Sequence, residues 1–97
     1  MVPQGGNTGL VGGATPYSDD SPHHAKEVLS LDRMNKIIKI DAKSSVVHAE
    51  SGCILEKVDE ECGKEANLMM PIDLGAKGSC QIGGILATNA GGIRFLR

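Results

Sequence analysis

Large aromatic side chains are nearly absent from these 97 residues: Tyr17 and Phe95 stand alone, and there is no tryptophan. Such side chains supply much of the buried area in many cores. A chain this short and this poor in them can bury only a modest core, so a fragment is expected rather than a complete enzyme. The ends fit that expectation. Met1-Val2-Pro3 runs straight into a glycine loop, and Phe95-Leu96-Arg97 closes on an apolar run without a stop signal.

Other absences narrow the function. Lys and Arg number 10 against 12 Asp and Glu, for a net charge of −2. No basic cluster is interleaved with aromatics, so there is no electrostatic footprint for nucleic acid. No apolar run approaches the roughly 18 residues that would span a bilayer. The N-terminus has no signal or transit character. The cysteines, Cys53, Cys62 and Cys80, are odd in number and form no C-x-x-C pair, which argues against a disulfide framework or a zinc knuckle. They read as small buried thiols in a reducing compartment. His23-His24 reads as part of a solvated loop, because adjacent residues rarely face one ion. His48 reads as an exposed or satisfied strand histidine. No Ser–His–Asp spacing and no paired carboxylates stand out. G-x-G-x-x-G is missing, and Gly75-Ala76-Lys77-Gly78-Ser79 does not align with G-x-x-x-x-G-K-[ST]. Rossmann and P-loop readings therefore fail on residues.

What the chain has in quantity is glycine, 13 residues, mostly in two stretches, one near each end. The first is Pro3, Gln4, Gly5, Gly6, Asn7, Thr8, Gly9, Leu10, Val11, Gly12 and Gly13. The second runs from Leu74, Gly75, Lys77, Gly78, Ser79 and Cys80 to Gln81, Ile82, Gly83 and Gly84. It resumes at Thr88, Asn89, Gly91 and Gly92. Glycine lets backbone N–H groups come close to a ligand, and consecutive N–H groups form anion-binding nests. Side chains of Asn7, Thr8, Ser79, Thr88 and Asn89 can add hydrogen bonds. Two such loops can grip a diphosphate from two sides, which suggests a dinucleotide cofactor. Asp73, next to the second loop, either orients it by accepting N–H bonds or is an ordinary turn aspartate. Any redox chemistry would then belong to the cofactor.

Periodicity predicts an α+β fold of short strands, a hairpin, one amphipathic helix and a second short helix. Residues 2–13 read as a strand end and loop, 14–26 as a polar connection, 28–31 as a strand and 32–35 as a turn. Residues 37–40 and 46–50 form a hairpin across 41–45. Ile54, Val58 and Cys62, with Leu55 alongside, mark a helix over 54–62. Ser51 would cap it, and either Gly63 ends it or Lys64-Glu65-Ala66 extend it. After an extended link over 68–73, residues 81–87 predict a short helix with Ile82, Ile85 and Leu86 on one face. Its N-terminus would favour phosphate.

The two loops, with Leu31-Asp32-Arg33-Met34-Asn35 and Val47-His48-Ala49-Glu50-Ser51-Gly52 between them, resemble the PCMH-type FAD-binding domain of the vanillyl-alcohol oxidase/p-cresol methylhydroxylase flavoproteins. The likeness covers nearly the whole chain and is greatest to the D-2-hydroxyacid dehydrogenases, the 2-hydroxyglutarate branch above all. It implies a partial FAD-binding domain over residues 1–97, truncated at both ends, with the substrate domain, catalytic histidine and metal ligands elsewhere. It implies FAD held by Pro3–Leu10 and by Pro71, Leu74, Gly75, Gly78, Ser79, Gln81, Ile82, Gly83, Gly84, Thr88, Asn89, Gly91 and Gly92. It also implies hydride transfer from a D-2-hydroxyacid, an electron-acceptor flavoprotein and a mitochondrial location. Some members attach FAD through a histidine of the first loop. Asn7 and Thr8 stand there, so noncovalent FAD is expected. The isolated chain is expected to be inactive. The rival expectations are a non-enzymatic product without stable FAD binding, and another oxidase of the same superfamily, of the D-lactate or glycolate type.

Overall fold

The computed structural model describes residues 1–16 and 26–94. His23, His24 and the two aromatic residues lie outside them. Four short strands and two helices follow in the order β1 (Val2–Gln4), β2 (Val28–Ser30), β3 (Ile37–Asp41), β4 (Val46–Ala49), α1 (Leu55–Ala66) and α2 (Ile82–Ala87). The α+β expectation holds.

β1 and β2 pair in parallel, with Val2 opposite Val28 and Gln4 opposite Ser30. Strand β3 pairs antiparallel with β4 in a separate two-stranded sheet. The ladder is irregular between Ile37 and Lys39, and Ile38 is left 70% exposed. The turn is one residue shorter than expected because Asp41 completes β3. Its carboxylate accepts the N–H groups of Lys43 (3.0 Å) and Ser44 (3.2 Å). Ser45 then turns the chain with φ 56°, a conformation that short polar residues tolerate near a turn.

Helix α1 departs from expectation at its start, and at its end it follows the longer of the two expected courses. Ser51 does not cap it: the residue before the first turn is Ile54, extended, with no side-chain cap. Gly63 does not end it either. Lys64, Glu65 and Ala66 are better helix formers than the glycine is a breaker, and the stop falls at Asn67. That residue takes the left-handed conformation at φ 51°, and its N–H and that of Leu68 both donate to the Cys62 carbonyl. The buried face is Leu55, Val58 and Cys62 rather than Ile54, Val58 and Cys62. Ile54 lies before the helix, in a single antiparallel bridge to Gln81.

That bridge organises the molecule. A helix start leaves its first N–H groups without partners. Here the start of each helix is satisfied by the segment leading into the other. Leu55 N–H donates to the Cys80 carbonyl (3.1 Å) and Glu56 N–H to that of Lys77 (3.0 Å). In return, Ile82 N–H donates to the Cys53 carbonyl (2.9 Å) and Gly83 N–H to that of Ser51 (2.8 Å). Two small apolar clusters share the joint. One is Cys53, Val58 and Cys62 against Ile37, Ile40, Val47 and Leu68; the other is Leu55, Cys80 and Ile85 against Ile72, Leu74 and Ala90. Met70 and Ile82 touch both. The three cysteines are free and buried, as expected. Burial pushes each thiol above its ordinary value.

Candidate functional site

The two glycine stretches meet. Pro3 and Gln4 lie in β1 and lead into the first loop. The amide of Gln4 ties the far end of that loop down by donating to the Ala14 carbonyl (3.0 Å). Gly6 lies flat on the second stretch: a side chain there would run into the Ser79 carbonyl and come within 3.1 Å of Cys80 Cα. A Cβ at Gly5 would sit 3.2 Å from Gln81 Oε1. Absent side chains thus bring residues distant in sequence into backbone contact, a use of glycine that no other residue allows.

Beyond this contact the first loop stands open. Asn7 takes φ 53°. Thr8, Gly9, Leu10 and Val11 are exposed, and nothing lies within 4 Å of where a Gly9 side chain would be. The loop closes where Thr15 donates to the Gly12 carbonyl through its N–H (3.3 Å) and its hydroxyl (3.0 Å). Among the described residues, the N–H groups of Gly6 to Val11 donate to no acceptor of the chain. Backbone donors left open in a glycine loop suit an anion.

The second stretch divides into parts with different roles. From Leu74 to Cys80 it winds into tight turns, with Lys77 N–H on the Leu74 carbonyl and the Ser79 and Cys80 N–H groups on that of Ala76. Ser79 and Gln81 face the first loop. Gly78 instead faces the Glu56 carboxylate of α1, and Gly75 and Gly84 face open space. Gly83 packs on Ser51, where a Cβ would come within 2.8 Å of the Ser51 Cβ. The expectation of a phosphate-binding α2 N-terminus fails at its first two amides. Ile82 and Gly83 N–H are consumed by the Cys53 and Ser51 carbonyls, because the reciprocal capping needs them. Leu86 is 63% exposed rather than on the buried face with Ile85.

Thr88, Asn89, Gly91 and Gly92 lie apart from the first loop. The Thr88 hydroxyl donates back to the Gly84 carbonyl (3.0 Å). Asn89 (φ 54°) and Gly92 (φ 79°) take left-handed turns, and Gly92 bridges to Asp73. Pro71, Asn89 and Gly91 line a cleft of about 330 Å³ with Ile72, Ile85 and Leu86. Asp73 accepts no loop N–H. Its carboxylate pairs with Lys77 (3.6 Å) and Arg94 (3.9 Å), so the cation of the second loop is partly neutralised.

Sequence reasoning missed two side chains here. Asp32, read as a turn residue, accepts the Gln81 amide N–H at 2.7 Å. Together they line a cleft of about 600 Å³ with Asn35, Lys57 and Glu60. Arg94 reaches Asp59 (3.2 Å), which also accepts the Met70 N–H (2.7 Å). Neither contact leaves a local signal, because both join residues far apart in the chain.

Comparison with known proteins shows the family to which the chain is similar. Residues 1–96 match the family described as FAD binding domain. Over 97 residues, all of this chain and 16% of the relative, it is 48% identical to a probable mitochondrial D-2-hydroxyglutarate dehydrogenase of Oryza sativa subsp. indica. It is 48% identical over 95 residues to the mitochondrial D-2-hydroxyglutarate dehydrogenase of Rattus norvegicus, covering 98% of this chain and 16% of the relative. It is 53% identical over 97 residues to a putative mitochondrial D-lactate dehydrogenase of Schizosaccharomyces pombe, covering 100% and 17%. The chain thus spans about one sixth of the length of these curated relatives.

Proposed function

The chain belongs to the FAD binding domain family, and from that premise we propose that it holds FAD noncovalently between its two glycine stretches. The observation that carries this reading is the seating of Gly5 and Gly6 on Ser79–Gln81, beside a loop whose N–H groups are unpaired. A diphosphate needs donors free of internal acceptors and a wall that lets backbone approach. Gly6 to Leu10 supply the donors, and Ser79 and Gln81 supply the wall. Gly78, Gly83 and Gly92 serve the packing of the second stretch, while Gly75 stays open to the surface. Thr88, Asn89 and Gly91 belong to a separate surface beside the smaller cleft, where a further part of the dinucleotide would lie. Asn7 and Thr8 stand in the region where some members carry the histidine that attaches FAD.

In the reading proposed here, the chain is the cofactor-binding part of a dehydrogenase that takes D-2-hydroxyglutarate to 2-oxoglutarate. FAD supplies the hydride acceptor for C2 of the hydroxyacid. A flavoprotein electron acceptor and a mitochondrial location come from the same resemblance, as do the substrate-binding and catalytic groups outside these 97 residues. The 53% identity to a putative D-lactate dehydrogenase favours a second reading in which the substrate is D-lactate. Flavin titration tests the first claim: the unmodified protein quenches flavin fluorescence saturably, and the Gly6→Val variant does not. Equal quenching by both would sink the assignment of the loops. Turnover of D-2-hydroxyglutarate and of D-lactate by the longer polypeptide decides between substrates.

A further inference from the structure

Gln81 is 6% exposed, and its Oε1 is buried without a hydrogen-bond partner. A buried acceptor left unpaired is costly, and such a group in a native fold calls for a partner. The orientation of the amide is not free to relieve this. Nε2 donates to Asp32 Oδ1 at 2.7 Å, and reversing the amide would put oxygen against carboxylate. Asp32 therefore fixes Oε1 on the opposite side, where Gly5 approaches it. Gly6 follows, resting on Ser79 and Cys80, and its N–H begins the run of unpaired donors.

We propose that Gln81 is a positioning residue for the first glycine loop: with its amide clamped by Asp32, its Oε1 accepts a backbone N–H of Gly5–Asn7 when FAD is bound, fixing the loop with its remaining donors toward the diphosphate. This rests on the FAD reading above. It adds a role for Asp32, which touches no glycine of either loop yet sets the direction in which Gln81 presents its acceptor. Such a bond would satisfy the one buried side-chain atom left without a partner among the described residues.

The test is a flavin titration of the unmodified protein and of Gln81→Met, which keeps the volume and removes both polar atoms. It is read together with hydrogen exchange at the amides of residues 5–7. The expected result is an affinity lower by about tenfold, the equivalent of one charge-free hydrogen bond at the upper end of its range. FAD slows exchange at those amides in the unmodified protein and leaves it unchanged in Gln81→Met. Asp32→Asn, whose amide oxygen still accepts from Nε2, retains both affinity and protection, while Asp32→Leu loses both. A merely structural role would lower thermal stability in Gln81→Met without abolishing the FAD-dependent protection, and that result would overturn the inference alone. Failure of the unmodified protein to bind flavin would overturn the FAD reading and this role with it.

Discussion

Alanine at Gly6 adds one methyl group at the point where the two loops touch. The new Cβ would overlap the Ser79 carbonyl oxygen, lie 2.8 Å from the Ser79 carbonyl carbon and 3.1 Å from Cys80 Cα. All three are backbone atoms, so no rotamer change can relieve the contact. The second stretch cannot yield either, because the Cys80 carbonyl and the Ile82 and Gly83 N–H groups are bonded to the segment 51–55. The first loop must lift away. Overpacking of this kind costs about 1–3 kcal/mol, and rigid backbone neighbours place Gly6→Ala in the upper half of that range. For a domain near 100 residues each kcal/mol is worth about 4–8 °C in Tm, so a fall of about 10–20 °C follows. Gly9→Ala is the matched control. Nothing lies within 4 Å of its Cβ position, and its Tm should move by no more than about 0.5 kcal/mol equivalent. Thermal unfolding by circular dichroism gives the first number, and flavin titration at a temperature where both variants are folded gives the second. Gly6→Ala should bind flavin at least about tenfold more weakly, a loss of 1.4 kcal/mol. Indistinguishable Tm and flavin affinity in Gly6→Ala and Gly9→Ala would refute the account of the loop contact.

Gly92→Ala should destabilise by about 3 kcal/mol, combining a left-handed φ of 79° with a clash against the Asp73 carbonyl. The denaturant midpoint measures it, and a loss below about 1 kcal/mol contradicts the bridge geometry. Val58→Ala removes two methyl groups from a site with 0% exposure and should cost about 2 kcal/mol, whereas Ile38→Ala, on the bulged and exposed edge, should cost less than about 0.5 kcal/mol. Asp41 titrates below its ordinary 3.8, held there first by the Ser44 hydroxyl and then by the Ser44 and Lys43 N–H groups. A depressed folded pKa gives stability that is present above 3.8 and lost as pH falls through the folded value. Ser44→Ala should therefore raise the Asp41 pKa toward 3.8, followed by carboxyl NMR, and an unchanged titration would remove the hydroxyl from the explanation.

Much of this architecture was legible in residue patterns, and its gaps share one cause. The hairpin followed from β-branched runs around a polar turn, and α1 followed from a change of period. Both signals are local. The residue pattern left the end of α1 open between Gly63 and Ala66; the longer course holds because Lys64, Glu65 and Ala66 favour helix and the N–H groups of Asn67 and Leu68 meet the Cys62 carbonyl. The start was misplaced because its cap is not a side chain near Ser51 but carbonyls of Lys77 and Cys80, far along the chain. The same non-local bonds explain why the first two amides of α2, Ile82 and Gly83, are already paired. Glycine density correctly singled out the two stretches. It did not distinguish glycines that face the other loop, Gly5 and Gly6, from those that face α1, Ser51 or Asp73. Composition alone carries no direction.

The reciprocal capping assigns the two loops unequal mechanical roles. Loop two lends carbonyls to α1 and takes two of its own N–H bonds from the chain before α1, so any displacement of Lys77–Gly83 breaks helix starts on both sides. Unpaired buried backbone groups cost as much as lost hydrogen bonds, which makes this stretch the fixed jaw. Loop one has no comparable restraint between Gly6 and Val11; its ties are the β1 pairing, the Gln4–Ala14 bond and the turn at Gly12. It is the adjustable jaw. A ligand that engages both must draw the first loop to the second, and its binding free energy then adds to the stability of the joint, about 2.7 kcal/mol at a free concentration one hundred times Kd. The joint carries the core clusters as well, since Leu55 and Cys80 lie beside its bridge and Val58 packs one turn further along α1. In the proposed FAD reading, cofactor binding and folding of the small core are linked through the same few backbone bonds at residues 51–56 and 77–83.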